Sequence, residues 1–366
     1  MNPEAGPGFY VEARDDAAAG SKAFMQVRDY LVGCTSEGFP PGVSLALVDR
    51  DGVVFQVCGG HASLVPEPLR AGPETSYDLA SLTKVICTTT LALVARDSGL
   101  WGLGEPVARW LPGYPVARTT LWHLLTHTSG LVEHRPFYAS SRGQEEVEAA
   151  VYEEAAGSVP GGEVRYSDLN FMLLGWALEA CFGRPLDKIF GAQVAEPLGM
   201  SRTRFCPPVG ERWLVAATEL DGDQRPRAGL VWGEVHDGNA WVLGGVAGHA
   251  GLFAPVGDLA HFVQSLLQAS TGGVLSASSV EEMATLQAKS DDDVRGLGWR
   301  LCPSRWGAWP EGTMWHTGFT GTSLLVDRQR GVAVVLLSNA IHPRRRLDEQ
   351  AAFRADVHRL VADALS

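Results

Sequence analysis

Hydrophobic and polar positions along the chain predict strands near both ends and helices between them. Two apolar runs lie within "PPGVSLALVDRDGVVFQVCGG" (40–60), and the Asp51-Gly52 step between them is typical of a hairpin turn. "SLLVDRQRGVAVVLLSN" (323–339) predicts further antiparallel strands. Because an isolated hairpin is barely stable, we expect the strands from both ends to meet in one sheet.

Helical spacing dominates the middle of the chain, from about Leu82 to Gln268. Three segments there combine a capping residue with apolar positions at helical spacing: 147–157, 168–183 and 255–270. Further helices are predicted at 23–32 and 347–366. We therefore predict an α/β (α+β) protein in which helices flank an antiparallel sheet. One domain would span 1–366, with an α/β part at about 20–80 and 270–366 and a mostly helical subdomain at about 81–269.

Composition narrows the possible partners and location. The net charge of −12 argues against nucleic acid, since phosphate binding needs a concentrated basic surface. No stretch approaches the roughly 20 apolar residues of a membrane helix, and residues 1–20 contain no apolar signal region. The six cysteines form no C-x-x-C pair, which predicts neither a disulfide framework nor a zinc knuckle. We expect a soluble cytoplasmic protein whose charged runs at 291–293 and 344–346 are solvated loops.

Lysine is scarce, with four in the chain, and Lys84 follows Ser81 by three residues in "DLASLTKVIC" (78–87). A helix predicted from Ser81 to Ser98 would place the two side chains on one face. The other neighbours on that face are uncharged, which indicates that the lysine is buried or faces a cleft. Burial lowers the pKa of a lysine, and an uncharged amine can activate a neighbouring hydroxyl as a nucleophile. The alternative is an accidental S-x-x-K in which the serine only caps the helix.

Two further segments carry candidate chemistry. Tyr166 stands immediately before a predicted helix, where it could instead pack on Phe171 as a hydrophobic staple. His316 opens a strand-like run in which Gly318 and Gly321 would let another backbone or a substrate approach closely. Taken alone, a surface-turn histidine is the simpler interpretation.

In this order, S-x-x-K (81–84), Y-S-D (166–168) and H-T-G (316–318) resemble the three motifs of the penicillin-recognising serine hydrolases. The resemblance is closest to the class C β-lactamase-like branch, which includes esterases, D-aminopeptidases, D,D-peptidases and biosynthetic transacylases. "TLWHLLTHTSGL" (120–131) and "GEVHDGNAWVLGGVAGHAGLFA" (233–254) also look like family segments. The resemblance implies a β-lactamase/D,D-peptidase-like fold over nearly the whole chain, with His249 close to the active site.

The resemblance also implies roles for individual residues. Ser81 would attack a carbonyl and become acylated, while Lys84 and Tyr166 share the transfer of its proton to the leaving group. His316 would line the opposite wall and orient the substrate or Tyr166. The other implied groups are the backbone N–H donors of an oxyanion hole (Ser81 and Phe319) and two residues beside the substrate (Thr317 and Gly318).

Two positions depart from the family motifs. Asp168 stands where asparagine is more frequent, and an ionised carboxylate can only accept hydrogen bonds. His316 stands where many members have lysine, which reduces the fixed positive charge available to a substrate carboxylate. Both changes favour a neutral ester or amide substrate, or one with a donor facing Asp168, over a β-lactam.

We therefore expect a serine hydrolase or acyltransferase that forms an acyl-Ser81 intermediate, as an esterase or a biosynthetic transacylase. A β-lactamase, D-aminopeptidase or D,D-peptidase is the first alternative, and a non-catalytic binding or sensor protein is the second. The expected partners are a small ester or amide and possibly an amine acceptor, with no cofactor. His123 and His127 have the spacing of a zinc pair but no third ligand, so we predict no metal and a structural role at a helix end or loop.

Overall fold

The computed structural model describes residues 8–14, 22–222, 228–269 and 273–366. Its strands are β1 (Phe9–Ala13), β2 (Gly42–Asp49), β3 (Gly52–Ser63), β4 (Leu69–Arg70), β5 (Tyr77–Asp78), β6 (Arg204–Phe205), β7 (Leu252–Ala254), β8 (Ala288–Lys289), β9 (Val294–Arg295), β10 (Arg300–Leu301), β11 (Met314–Thr317), β12 (Ser323–Asp327) and β13 (Val332–Ser338). A ten-stranded sheet has the order β1-β3-β2-β13-β12-β11-β10-β9-β8, with β4 paired to β3. A small sheet has the order β5-β7-β6.

The helices are α1 (Lys22–Ser36), α2 (Thr90–Asp97), α3 (Leu121–Leu125), α4 (Gly143–Ala155), α5 (Asp168–Phe182), α6 (Leu186–Phe190), α7 (Gly238–Val242), α8 (Val256–Leu267), α9 (Ala277–Ala284) and α10 (Leu347–Ala364). Two π-helical segments, Lys84–Thr89 and Gly191–Ala195, adjoin α2 and α6. The predicted helices at 23–32, 147–157, 168–183, 255–270 and 347–366 correspond to α1, α4, α5, α8 and α10 and are confirmed within the described residues. Residues 1–7, 15–21, 223–227 and 270–272 lie outside the described part.

The predicted meeting of strands from both ends of the chain is confirmed. The Asp51-Gly52 turn joins β2 to β3, and β2 pairs antiparallel with β13, so that Leu45 lies opposite Leu336. β1, which the sequence pattern did not predict, adds an antiparallel edge strand to β3. The α+β class and the antiparallel sheet are therefore as predicted.

Both faces of the sheet are buried. Along β13, Val334 and Leu336 pack into a core with α1 and α10, whereas Val335 and Leu337 point into the core on the opposite face. Strands covered on both sides have continuous apolar sequences, which explains the unbroken "VAVVLLS" run. The proposed subdomain boundaries stay a prediction. α8, which falls in the predicted helical middle, packs on β2 and β13.

Two charged runs predicted to be solvated loops are partly buried instead. The Asp293 carboxylate accepts from Arg295 Nη2 at 2.6 Å and from Arg300 Nη2 at 3.1 Å. Arg345 pairs with Glu219 at 2.8 Å. These predictions were wrong for Asp293 and Arg345, because the charged partners that allow their burial are brought near by the fold.

The state of the cysteines and the character of the helices also bear on the sequence predictions. All six cysteines are free thiols. Within the described residues, no helix has the length and apolar character that a membrane crossing requires.

Candidate active site

Ser81 stands at the end of a fixed turn that follows β5 and directly precedes the helical segment of Lys84. The buried Asp78 carboxylate accepts the backbone N–H of Ala80 at 2.8 Å and that of His236 at 2.7 Å. Ala80 has φ +47°, in the left-handed region, which costs a non-glycine residue roughly 1–2 kcal/mol. A strained residue held by buried hydrogen bonds immediately before a serine is typical of a functional turn.

The loop after β11 is hydrogen-bonded to the turn that precedes Ser81. Thr320 Oγ1 donates to the Asp78 carbonyl at 2.6 Å, and Thr322 Oγ1 donates to the Leu79 carbonyl at 3.2 Å. A Cβ on Gly318 would lie 2.4 Å from the Leu79 carbonyl oxygen. The predicted close approach of another backbone at Gly318 is therefore confirmed, and β11 and the Ser81 turn form one unit.

Lys84 is fully buried and donates three hydrogen bonds. Its Nζ lies 2.9 Å from Ser81 Oγ, 2.7 Å from Asp168 Oδ1 and 3.1 Å from the His249 carbonyl oxygen. An ammonium group has three N–H donors, and each has an acceptor here. The contact between Ser81 and Lys84 and the proximity of His249 agree with the sequence expectations.

The expected lowering of the Lys84 pKa was wrong. Burial alone would lower this pKa, but the Asp168 carboxylate and then Tyr166 raise it above its ordinary value. Burial would likewise raise the pKa of Asp168, but the Lys84 charge and a hydrogen bond from His134 hold it well below its usual range. The expectation rested on desolvation alone, because nothing in the sequence indicates that Asp168 is the counter-ion of Lys84.

The Tyr166 ring is surrounded by two cations and two imidazoles. Lys84 Nζ lies 5.1 Å and the Arg295 guanidinium carbon 5.3 Å from its centroid. The ring centroids of His127 and His316 lie at 4.7 and 6.1 Å. The Phe171 staple is not among the ring contacts of Tyr166; instead, both rings lie near Lys84.

Both imidazoles are held neutral. Burial, and next the Arg295 and Lys84 charges, lower the pKa of His316 and that of His127 well below the usual value. His316 Nδ1 lies 3.0 Å from the Thr317 carbonyl oxygen and therefore carries the hydrogen. Its buried Nε2 has no hydrogen-bond partner among the described residues, which leaves an acceptor beside Tyr166.

The histidine pair of the 120–131 segment has the structural role that was predicted. His123 forms a capping box with Thr120 at the start of α3. His127 Nδ1 accepts the backbone N–H of Ser167 at 3.1 Å and so fixes the start of α5. The Ser167 hydroxyl donates to the Val132 carbonyl instead of capping α5. The described residues contain no cluster of three or more His, Cys, Asp or Glu side chains suited to a metal.

Two backbone N–H groups are available for an oxyanion. Within the described part of the chain, neither the N–H of Ser81 nor that of Phe319 donates to another backbone group. The Phe319 carbonyl accepts from Gln350 Nε2 at 2.9 Å, and its ring stacks on His236 at 5.7 Å. These contacts hold Phe319 in place, while its N–H remains free for a substrate.

Ser81, Tyr166 and Phe319 line two neighbouring cavities of about 370 and 290 Å³. The larger one is also lined by His316, Thr317 and Gly318, and the smaller one by Asp168. Every site residue predicted from the sequence except the buried Lys84 therefore lines at least one cavity. The predicted substrate contact of Asp168 stays a prediction, since its oxygens lie 2.7 Å from Lys84 Nζ and 3.4 Å from His134 Nδ1.

Four residues near the site were not predicted from the sequence: Arg295, Arg300, Arg354 and His134. Arg300 and Arg354 line the larger cavity, and His134 lines the smaller one. One signal was present for Arg295, which lies among apolar and glycine residues in "VRGLGW" (294–299). A single cation among uncharged neighbours is also the pattern that indicated the burial of Lys84.

A family model described as Beta-lactamase matches residues 27–359. A Putative D-alanyl-D-alanine carboxypeptidase of Escherichia coli (strain K12) is 30% identical over 346 aligned residues, covering 82% of this chain and 79% of that protein. One of Salmonella enteritidis PT4 (strain P125109) is 27% identical over 382 residues, covering 92% and 87%.

Several solved structures share the fold. The octameric penicillin-binding protein homologue from Pyrococcus abyssi has a TM-score of 0.74 at 21% identity, over 93% of this chain and 77% of that one. Simvastatin Synthase (LovD) from Aspergillus terreus has a TM-score of 0.73 at 20% identity, over 94% and 99%. EstCE1, a hydrolase with promiscuous acyltransferase activity, has a TM-score of 0.74 at 21% identity, over 95% and 100%.

Proposed function

The chain belongs to the Beta-lactamase family, and we propose that it is a serine acyl-transfer enzyme that acts on a small ester or amide. In this proposal Ser81 is the nucleophile, and the enzyme is an esterase or a transacylase. The observation that carries the proposal is the 2.9 Å hydrogen bond between Ser81 Oγ and a fully buried ammonium group. Ser81 lines both cavities and lies in the same site as two available N–H donors.

The charges of the site support a proposal for the proton transfers. Because Lys84 is an ammonium ion with all three hydrogens donated, the anionic form of Tyr166 takes the Ser81 proton. The bond from Oγ to the carbonyl carbon forms, and the carbonyl oxygen gains negative charge between the N–H groups of Ser81 and Phe319. When the bond to the leaving group breaks, Tyr166 gives it the proton.

The second half of the reaction repeats these steps with an incoming acceptor. Water or an amine attacks the acyl carbon and gives its proton to Tyr166. The bond between this carbon and Ser81 Oγ then breaks, and Tyr166 returns the proton to Oγ. Lys84 stays charged throughout and stabilises negative charge on Ser81 Oγ during both acylation and deacylation.

The Asp168 position supports an ester or simple amide over a β-lactam. Asparagine at this position could donate to a substrate carbonyl, whereas the carboxylate only accepts, and its oxygens already lie near Lys84 and His134. The position therefore offers no donor to an acylamino side chain. An ester substrate does not need this donor.

A second candidate function is that of a D-alanyl-D-alanine carboxypeptidase, which the name of the Escherichia coli relative suggests. Arg300 and Arg354 line the larger cavity and supply positive charge that His316 does not. Guanidinium groups bind carboxylates through paired hydrogen bonds, so a peptide with a free carboxyl terminus would fit this cavity.

Labelling with a fluorophosphonate, followed by intact-mass spectrometry and peptide mapping, tests the acyl-transfer proposal. We expect one adduct per chain on Ser81 and none in the Ser81→Ala variant. A wild-type protein that forms no adduct would contradict the proposal and favour the binding or sensor alternative.

A substrate panel separates the activities. We expect hydrolysis of p-nitrophenyl esters, with faster acyl transfer when amines are added if the enzyme is a transacylase. Release of D-alanine from a peptide ending in D-Ala-D-Ala would support the second candidate. Rapid nitrocefin cleavage would contradict the preference for esters.

We further propose a cytoplasmic location. The six free thiols support it, because thiols persist in a reducing compartment. Fractionation of the native host, with detection of the protein by antibody, tests this location.

A further inference from the structure

Arg295 is a fully buried cation against the Tyr166 ring. It has no exposed surface, and its guanidinium carbon lies 5.3 Å from the ring centroid. The register of the sheet places it there: Arg295 on β9 lies opposite Arg300 on β10, which lies opposite Trp315 on β11, next to His316. Arginine keeps its charge under complete burial more readily than any other side chain.

The positive charge of Arg295 is only partly compensated. Its Nη2 donates to Asp293 at 2.6 Å, but the same carboxylate oxygen also accepts from Arg300 at 3.1 Å. Nε and Nη1 of Arg295 are buried and have no hydrogen-bond partner among the described residues. A buried cation that shares its carboxylate with a second cation favours negative charge nearby.

Groups from several elements determine the charge around Tyr166. They are Lys84 of the π-helical segment with its counter-ion Asp168 of α5, His127 of the loop after α3, Arg295 of β9 and His316 of β11. The two imidazoles are neutral, and Lys84 is paired with Asp168. The Arg295–Arg300 pair therefore supplies the uncompensated charge, and Arg295 is its member in contact with the ring.

On the basis of the proposed function, we propose that Arg295 is a positioning residue that acts through Tyr166. Its guanidinium charge stabilises the anionic Tyr166 side chain, which is the form that accepts the Ser81 proton. Arg295 touches neither the reacting atoms nor the cavities. Burial is the main cause that lowers the pKa of His316 and that of His127, and the Arg295 charge is the next.

The pH dependence of Ser81 labelling tests this inference, because a fluorophosphonate reports serine reactivity without knowledge of the natural substrate. The acid limb is the low-pH part of the profile, where the second-order labelling rate falls. In Arg295→Gln we expect this limb to move to higher pH by about one unit. The rate should recover toward that of the wild type above the shifted limb. A purely structural role would instead lower the rate by the same factor at every pH.

Three further variants test whether the acid limb moves in the direction that the charge of Arg295 requires. Arg295→Lys keeps the charge and should leave the limb close to its wild-type position. Asp293→Asn removes the neutralising carboxylate but keeps an acceptor, so the limb should move to lower pH. Arg359→Gln, an exposed arginine of α10, serves as the control for removal of a distant charge and should leave the limb unchanged. Thermal melts establish that each variant is folded.

The failures of the two proposals differ. If the wild type forms no Ser81 adduct, the proposed function fails and this inference fails with it. If the wild type is labelled but the limbs of Arg295→Gln and Asp293→Asn coincide with its own, the proposed function stands and the role of Arg295 is wrong. If Arg295→Gln does not fold, Asp293→Asn tests the inference alone. An acid limb at lower pH supports the role of Arg295, and an unchanged limb or one at higher pH contradicts it.

Discussion

At the scale of single residues, Lys84 shows what a sequence can and cannot indicate about a buried charge. Its uncharged neighbours on the helix correctly indicated burial beside Ser81. Its charge state depends on Asp168, whose Oδ1 lies 2.7 Å from Nζ although the residue is distant in sequence. A motif shows which residue types are present, but the pKa of a buried group follows from the partner that the fold supplies.

Replacing Lys84 by alanine should abolish Ser81 labelling and also destabilise the protein. The variant leaves the mostly buried Asp168 carboxylate without its counter-ion, which we expect to lower the free energy of unfolding by about 3 kcal/mol. Urea denaturation measures this change, and mass spectrometry measures the labelling.

The double variant Lys84→Met, Asp168→Asn is the matched control, since it removes both charges together. It should recover most of the lost stability while remaining inactive toward the fluorophosphonate. The assigned ion pair would be contradicted if Lys84→Ala were labelled at the wild-type rate, or if the double variant were as unstable as the single one.

At the scale of elements, the extent of the helix after Ser81 was predictable, but its geometry was not. The predicted helix to Ser98 corresponds to the π-helical segment Lys84–Thr89 followed by α2. Thr88 Oγ1 donates to the Gly248 carbonyl at 2.6 Å, and Thr90 Oγ1 donates to the Val85 carbonyl at 3.0 Å. Periodicity of apolar residues cannot distinguish a π-helical turn from an α-helical one when every position in it is buried, as here.

Gly318→Ala should disturb the contact between β11 and the Ser81 turn. The added Cβ would lie 2.1 Å from Thr322 Oγ1 and 2.4 Å from the Leu79 carbonyl oxygen, so the two elements must separate. Such a shift moves the Phe319 N–H away from the Ser81 N–H, and displacements of this size can reduce rates about 100-fold. We expect the Ser81 labelling rate to fall by about this factor, while thermal melts show a folded protein.

Gly33→Ala in α1 is the control for this substitution, because no atom lies within 4 Å of the Cβ it would add. It should leave labelling unchanged and leave stability equal or slightly higher. A Gly318→Ala enzyme with a normal labelling rate would mean that the spacing between β11 and the turn does not set the reactivity of Ser81.

At the scale of the whole molecule, the motif order predicted which residues meet but not what surrounds them. Ser81, Tyr166 and His316 come together as the resemblance implied. Arg295 joins them only through the register of β9, β10 and β11. Two of these strands, β9 and β10, have two residues each and are too short to produce a hydrophobic pattern in the sequence.

A buried histidine links α10 to the sheet and should make the stability of the whole protein depend on pH. His358 stacks on Trp306 with its Nε2 2.9 Å from Ser323 Oγ, and burial and then the Arg354 charge lower its pKa to about 3. An unfolded histidine titrates near 6.5, so its contribution is complete above that pH and is lost as the pH falls. Between about pH 8 and pH 5 the wild type should lose about 2 kcal/mol of unfolding free energy from His358 alone, measured by urea denaturation.

The variant His358→Gln has no group that titrates at this position, so its loss of unfolding free energy over the same interval should be smaller by about that amount. The variant of an exposed histidine, His261→Gln, should behave like the wild type. Equal losses in His358→Gln and the wild type would show that His358 does not remain neutral in the folded state.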